Sequence, residues 1–145
     1  ESSGGLKIRG HVNGKDGILA ALLAVEMLAK TKKSLSGLLK EINEKYGTLH
    51  FGEVNLTYRA QDRSRLEKIL LQDRYVPAFP WRLHKTSYMD GVKYYFTNDN
   101  WFSIRFSGTE PILRLTYETN TEAQAQELRR TIMGDKTLNL PAKED

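Results

Sequence analysis

Residues 101–118 read WFSIRFSGTEPILRLTYE, two runs of alternating apolar and polar side chains joined by a short loop. Alternation with a period of two is typical of β-strands that have one buried face, because successive side chains point to opposite sides of a sheet. The loop, residues 107–111, contains a glycine and a proline, which are common where a chain turns. The stretch therefore predicts an antiparallel β-hairpin.

Other extended runs precede this hairpin. Residues 82–88 and 92–97 are separated by Met89-Asp90-Gly91, and a further strand is predicted from about residue 51, where the side chains begin to alternate. Short turns between successive strands predict an antiparallel meander. Because helical patterns lie before and after the strands, we predict an α+β fold with helices on one face of the sheet. The other face is left to solvent or to a partner.

Two helices are predicted in the first part of the chain. Asp16 and Ser34 each precede a segment in which apolar side chains recur every three or four residues, and both residue types are good helix caps. Gly47 supplies a stop for the second helix, and we place a domain boundary at residues 46–50. Before the helices, the glycine-rich start is predicted to be loop with at most a short strand at residues 6–8.

Two more helices are predicted in the second part. Apolar residues mark a short helix at residues 66–70, and Thr121 with Gln124 forms a capping box before a final amphipathic helix. The tail from Gly134 is expected to fray, as chain ends commonly do.

The composition restricts the kind of protein. The 145 residues, 39% of them apolar, are enough for one ordinary domain or two small ones. The absence of cysteine excludes disulfides, thiolate zinc sites and cysteine nucleophiles. The 22 basic and 18 acidic side chains are interspersed, which indicates a solvated surface and not a nucleic-acid-binding stripe.

Localisation is inferred from what the sequence lacks. The longest apolar run, residues 18–29, is interrupted by Glu26 and is shorter than the roughly 20 residues that a bilayer crossing needs. No targeting signal is recognisable, and the first residue is Glu1. We therefore expect a piece of a longer cytoplasmic protein, with neither a membrane nor a nucleic acid as partner.

The predicted hairpin places two arginines at the base of its loop. Arg105 and Arg114 fall on the polar side of their strands, so both are expected on the open face of the sheet. Guanidinium groups beside hydroxyl and amide donors match the oxygens of a phosphate dianion. The alternative is a surface hairpin whose arginines pair with Glu110 and Glu118. The residues expected to bind phosphate are Arg105, Ser107, Gly108, Thr109 and Arg114.

Two segments resemble one enzyme family. The loop RFSGTEPILRL, residues 105–115, closely resembles the phosphate-binding loop in the last domain of the α-D-phosphohexomutase family, which includes phosphoglucomutase and phosphomannomutase. The start of the chain, ESSGG, is similar to the family's sugar-binding loop GEESGG, and residues 11–17, HVNGKDG, resemble the stretch that follows it. The resemblance covers nearly the whole chain and implies the C-terminal fragment of such an enzyme.

The resemblance also implies a division into two domains. Residues 1–46 look like the latter part of the third mutase domain, which is the helical end of an α/β domain. Residues 47–145 look like the fourth domain, a four-stranded antiparallel sheet with helices that is similar to the TATA-box-binding-protein fold. The residues implied to bind the sugar are Glu1, Ser3, His11 and Lys15. For His11, the alternative is a capping or surface imidazole.

The family moves a phosphoryl group between the C1 and C6 oxygens of a hexose, through a bisphosphorylated sugar. Its phosphorylated serine lies in a loop resembling TASHNP and its magnesium in one resembling DGDxDR, and neither occurs in this sequence. The resemblance therefore implies a chain without catalytic or metal-binding residues that is inactive alone. Its implied partners are a hexose phosphate and the N-terminal domains of the same protein, in which magnesium is bound.

Other functions remain open from the residues alone. An RNA-binding sheet would use Tyr94, Tyr95, Phe96 and Trp101 to stack on bases, although Tyr94 and Phe96 share a face with Val92 that is predicted to be core. A regulatory domain that senses an anion is also compatible with the loop. The sequence does not distinguish glucose from mannose or glucosamine as the sugar.

Overall fold

A computed structural model of the chain describes residues 4–140. The chain divides into two compact units, Glu1–Gly47 and Thr48–Asp145. The first unit contains the helices α1 (Gly17–Thr31) and α2 (Leu35–Tyr46). The second unit contains a sheet with two further helical segments and the C-terminal stretch.

Side-chain caps fix the starts of α1 and α2. Asp16 Oδ1 accepts hydrogen bonds from the backbone N–H groups of Ile18 and Leu19, at 3.0 Å each. Ser34 Oγ accepts one from the backbone N–H of Gly37 at 3.1 Å. These bonds satisfy amides that have no partner within the helix, and both predicted helix starts are confirmed.

The glycine-rich start is loop, as predicted, and the short strand that was allowed at residues 6–8 does not form. A strand needs a neighbouring strand for its backbone hydrogen bonds, and the described residues of the first unit form none. The helices of this unit also bury no side chain. Their large exposed apolar residues are Ile18, Leu22, Leu23, Val25, Met27, Leu35, Leu39, Ile42 and Tyr46.

The second unit is built on a five-stranded antiparallel sheet. Its strands are β1 (His50–Thr57), β2 (Leu83–Ser87), β3 (Val92–Phe96), β4 (Trp101–Phe106) and β5 (Ile112–Thr119). Their order across the sheet is β1-β5-β4-β3-β2. The predicted meander is confirmed for β2 to β5, each of which pairs with its neighbour in sequence.

The expected count of four strands is wrong, because β1 adds a fifth. This strand pairs with β5 along its whole length, from His50 opposite Thr119 to Thr57 opposite Ile112. Gly52 lies opposite Tyr117, and a Cβ at Gly52 would lie only 2.2 Å from the Tyr117 ring. The glycine therefore leaves the space that the Tyr117 ring occupies beside β1. With five strands, the sheet differs in strand count from the expected four-stranded TATA-box-binding-protein fold.

Helical segments follow β1 and β5. Residues Ala60–Asp62 form a single 3-10 turn, α3 spans Arg63–Glu67, and a π-helical turn follows at Lys68–Gln72. The final helix, α4, spans Glu122–Met133, and the Thr121 hydroxyl accepts a hydrogen bond from the Gln124 backbone N–H as the capping box predicts.

The core of the second unit lies between one face of the sheet and its helices. Alternate strand residues are buried, with Val92, Tyr94 and Phe96 on β3 as an example. The Tyr94 hydroxyl donates to the backbone carbonyl of Tyr75 at 2.7 Å, so this polar group is satisfied inside the core. The helices contribute Leu66, Leu70, Ala125, Leu128 and Ile132.

The C-terminal stretch belongs to this core. Leu138 and Leu140 are buried, and both Nη atoms of Arg65 donate to the backbone carbonyl of Leu138 at 3.0 Å. The expectation of a frayed tail from Gly134 is therefore wrong for residues 134–140. Two leucines bury apolar surface there, and an arginine holds the backbone that carries them.

Candidate functional site

The open face of the sheet brings two arginines together beside the loop between β4 and β5. Arg105 and Arg114 are directly opposed in the register of these strands. Their strand neighbours Ile104 and Leu115 also pair with each other, on the buried face. Opposed residues in an antiparallel pair share a face of the sheet, so both guanidinium stems leave the same side.

The two arginines differ in their partners. Arg105 Nη1 donates to Asp90 Oδ2 at 3.2 Å, and its side chain remains 46% exposed. Arg114 Nε is buried and has no hydrogen-bond partner. Neither pairs as the surface-hairpin alternative expects, since Glu118 accepts instead from the Trp101 indole N–H at 3.1 Å. An unpaired, buried guanidinium N–H is costly.

The loop itself is held at both ends. The Ser107 backbone N–H donates to the carbonyl of Ile112 at 2.8 Å, and the Tyr58 N–H donates to the carbonyl of Pro111 at 2.9 Å. Ser107 Oγ accepts a hydrogen bond of 3.4 Å from the Thr109 N–H. Gly108 lies in open space, where an added Cβ would meet nothing within 4 Å. The loop is therefore anchored, while its tip is accessible.

Polar side chains continue along the open face from the arginines. The hydroxyls of Ser103 and Thr116, which are opposed on β4 and β5, lie 2.6 Å apart. Lys93 is opposed to Ser103 on the next strand, and its ammonium lies 3.6 Å from the centre of the Trp101 ring. At its loop end this face carries two guanidinium groups, one of which pairs with the Asp90 carboxylate.

The residues predicted to bind sugar lie in the first unit. His11 Nε2 lies 2.7 Å from Asp16 Oδ2, the carboxylate that caps α1. This hydrogen bond, with those from the Leu19 and Ile18 backbone amides, lowers the pKa of Asp16 below its ordinary value. The imidazole is therefore engaged with the helix cap, in line with the alternative stated for His11.

Lys15 borders a shallow concavity in the same unit, whose other lining residues are Gly5, Leu6, Lys7 and Gly14. Across this segment, Lys7 Nζ donates to Asn13 Oδ1 at 2.5 Å. Glu1 and Ser3, also predicted to bind sugar, lie outside the described residues. The structure therefore brings Lys15 and the glycine-rich segment together, and the sugar-binding role of all four residues stays a prediction.

Comparisons with known proteins agree with one family. A model of the phosphoglucomutase/phosphomannomutase α/β/α domain III matches residues 1–46. A phosphoglucomutase/phosphomannomutase of Thermococcus kodakarensis is 28% identical over 127 residues, covering 88% of this chain and 25% of that protein. A probable phosphoglucosamine mutase of Pyrococcus furiosus is 34% identical over 121 residues, covering 82% of this chain and 24% of that protein.

This chain resembles a part of the phosphoglucomutase/phosphomannomutase proteins. A crystal structure of a family protein from Burkholderia thailandensis superposes with a TM-score of 0.61 at 19% identity, covering 97% of this chain and 29% of that one, and supports the fold. The chain spans about a quarter of the length of the curated relatives that it matches.

Magnesium in the longer protein, which the resemblance implies, stays a prediction. Within residues 4–140, no group of three or more His, Asp or Glu side chains is placed to hold a metal ion. Within the same range, no helix is long and apolar enough to cross a membrane.

The open face bears on the RNA-binding alternative. Tyr94 and Phe96 are buried, so they are not available to stack on bases. Tyr95 and Trp101 lie on the open face, where the Lys93 ammonium is 5.0 Å and 3.6 Å from their ring centres. The aromatic residues are thus divided between the two faces, and this division does not favour a continuous stacking platform.

Sequence reasoning missed Asp90, whose carboxylate contacts Arg105. The segment Met89-Asp90-Gly91 predicted a turn and nothing more. The available signal was the register: once β3 pairs with β4, Val92 lies opposite Ile104, so the turn before Val92 must come close to Arg105.

Proposed function

We propose that this chain is the substrate-binding C-terminal part of a phosphohexomutase that interconverts hexose 1-phosphates and hexose 6-phosphates. The relatives named as phosphoglucomutases, phosphomannomutases and phosphoglucosamine mutases support this reaction class. In the proposal, this part anchors the sugar and the phosphate that is not reacting. The phosphoserine and the magnesium ion belong to other parts of the longer polypeptide.

The observation that carries the proposal is the opposed pair Arg105 and Arg114 beside an accessible loop. Like charges directly opposed across two strands destabilise a sheet unless something offsets them. A phosphate dianion would offset both charges and would accept the N–H donors that the guanidinium groups present. The Ser107 and Thr109 hydroxyls and the Gly108 backbone N–H supply further donors beside that position.

A division of labour follows for the two units. The second unit binds a phosphate group, and the segment with Glu1, Ser3, His11 and Lys15 contacts the sugar. Positioning of this kind lowers the entropic cost of the reaction, because a hexose bisphosphate must turn over without leaving the site. The electrostatic stabilisation of the transferring phosphoryl group falls to the rest of the enzyme.

The uncovered faces of α1 and α2 fit the same proposal. Ile18, Val25 and Leu35 are each at least 60% exposed. In an α/β domain, helices of this kind cover a sheet. We therefore propose the preceding part of the same polypeptide as the partner of these faces.

The first experiment is a titration of the 15N-labelled chain with inorganic phosphate and with glucose 1-phosphate, followed by NMR. Arg105→Ala is expected to raise the Kd for both ligands about 10-fold or more, since it removes charge-assisted hydrogen bonds to the phosphate group. Arg130→Ala is the matched control, because Arg130 is an exposed arginine of α4, on the opposite side of the sheet. Equal Kd values for the two variants would contradict the phosphate site.

In the longer enzyme, Arg105→Ala is expected to raise KM more than it lowers kcat, since the anchored phosphate does not react. An unchanged KM would count against the assignment. A panel of glucose, mannose and glucosamine phosphates then identifies the sugar by the ratio of kcat/KM values.

A further inference from the structure

The turn between β2 and β3 carries a carboxylate to the phosphate-binding arginines. Asp90 Oδ2 lies 3.2 Å from Arg105 Nη1, although the two residues are 15 positions apart in sequence. Asp90 is well exposed, with 73% of its side-chain surface accessible. No other carboxylate within residues 4–140 is hydrogen-bonded to Arg105 or Arg114.

Gly91 explains why the turn approaches so closely. Its φ of +71° is a left-handed conformation that favours glycine. A Cβ at this position would lie 2.2 Å from the carbonyl oxygen of Ile104 and 3.0 Å from the Cα of Arg105. Any larger residue would push the turn away from β4. The backbone therefore holds Asp90 beside the end of β4, where the loop of residues 107–111 begins.

The contact uses only part of the guanidinium group. Arginine has five N–H donors in a planar fork, and Asp90 engages Nη1 through one oxygen. The Nε and Nη2 donors are left for a second acceptor. Such an edge binds phosphate or carboxylate oxygens in pairs. The Asp90 carboxylate thus orients the Arg105 guanidinium group and leaves its other N–H donors available to a ligand.

We propose that Asp90 is a positioning residue of the phosphate site, which holds the Arg105 guanidinium ready to bind a phosphate group together with Arg114. The inference rests on the proposed function and deepens it. Without Asp90, Arg105 would face the like charge of Arg114 with nothing to oppose it, and its flexible stem would turn toward solvent. Each binding event would then cost the ordering of a rotamer-rich side chain.

Two effects of opposite sign follow from the removal of Asp90, and they can be separated. Loss of the negative charge strengthens attraction of an anion, and salt screens this effect because the pair is exposed. Loss of the acceptor oxygen removes the orientation of Arg105, which salt affects much less. Alanine removes both the charge and the acceptor, whereas asparagine removes the charge and keeps an acceptor oxygen.

The test is titration of the full 145-residue chain with inorganic phosphate at low salt and at about 0.5 M NaCl, where screening is strong. Asp90→Ala is expected to weaken binding about 3- to 10-fold at high salt, the size of one net hydrogen bond. Asp90→Asn is expected to stay within about twofold of the unmodified chain, the low end of that range. The control is Asp99→Ala, which removes an exposed carboxylate from the turn at the other end of β3.

Equal or tighter phosphate binding by Asp90→Ala at high salt would overturn the inference while leaving the phosphate site intact. Absence of phosphate binding by the unmodified chain would instead overturn the proposed function. A second measurement needs no ligand: 15N relaxation of the Arg105 side-chain Nε–H. Asp90→Ala should increase its fast motion and Asp90→Asn should not, and unchanged relaxation in the alanine variant would refute the positioning role.

Discussion

The two units of this chain use apolar side chains in opposite ways. In the second unit, the sheet, α3 and α4 enclose a core that includes Phe102 and Leu128. In the first unit, α1 and α2 are capped and carry many apolar side chains, yet none of their residues is buried. Across residues 4–140, every buried hydrophobic side chain belongs to the second unit.

This difference shows that a segment can form a helix from local sequence signals without burying its apolar side chains. Caps at Asp16 and Ser34, together with apolar periodicity, are enough to define two helices. Burial needs a second layer, which the second unit supplies from its own sequence. The described residues of the first unit form a layer of helices and no sheet for them to cover, as expected for part of a larger α/β domain.

The largest expected effect compares one side chain from each unit. Phe102→Ala should destabilise the second unit by about 3–5 kcal/mol, because Phe102 is 2% exposed and its removal leaves a cavity. Leu22→Ala, at a position 61% exposed, should change stability by less than about 0.5 kcal/mol. Chemical denaturation of both variants measures the difference. A large cost at Leu22 would show that α1 is covered in solution, and would break the comparison.

A smaller effect is expected at the contact between β1 and β5. Gly52→Ala should cost about 1–3 kcal/mol, since the new methyl group would overlap the buried Tyr117 ring. Gly108→Ala serves as the control for denaturation, because its Cβ would enter open space. A neutral Gly52→Ala variant would mean that β1 packs loosely on the sheet.

The smallest effect is confined to the start of α1. Asp16→Ala should increase hydrogen exchange at the Ile18 and Leu19 amides, whereas Asp16→Asn should preserve their protection because asparagine also caps. Exchange in the second unit should not change. Equal exchange in the alanine variant would show that the cap does not hold the helix start.

The pH dependence of this cap has a definite sign. Its hydrogen bonds lower the pKa of Asp16 below the ordinary value of 3.8. The contribution of the carboxylate is therefore complete above about pH 4 and is lost as the pH falls through the lower folded-state pKa. Exchange at Ile18 measured toward acid pH should follow this loss.

Local sequence patterns predicted the helices and strands well. The features that they did not predict depend on contacts between residues far apart in the chain. The caps at Asp16, Ser34 and Thr121 and the hairpin at residues 101–118 depend on neighbouring residues, so the sequence reveals them. The pairing of β1 with β5 joins residues about 60 positions apart, and no local pattern encodes it. The burial of Leu138 and Leu140 likewise depends on Arg65, which lies far earlier in the chain.

The site was predictable to a similar degree. Strand alternation was enough to place Arg105 and Arg114 on one face, and the register then made them direct neighbours. Asp90 was not found, because its contact depends on how closely Gly91 lets one turn approach the next strand. Arg114 Nε could not be recognised as unpartnered from sequence, since this depends on every surrounding side chain.

The buried hydroxyl of Tyr94 sets an alkaline limit for the second unit. Burial raises the pKa of this phenol far above its ordinary value of 10.0. The stabilisation that it contributes is complete below about pH 10 and declines above it, because the unfolded chain then loses a proton that the folded chain retains. Opening of the core therefore favours ionisation of the Tyr94 hydroxyl in alkali, so this one buried group ties the stability of the second unit to pH above about 10.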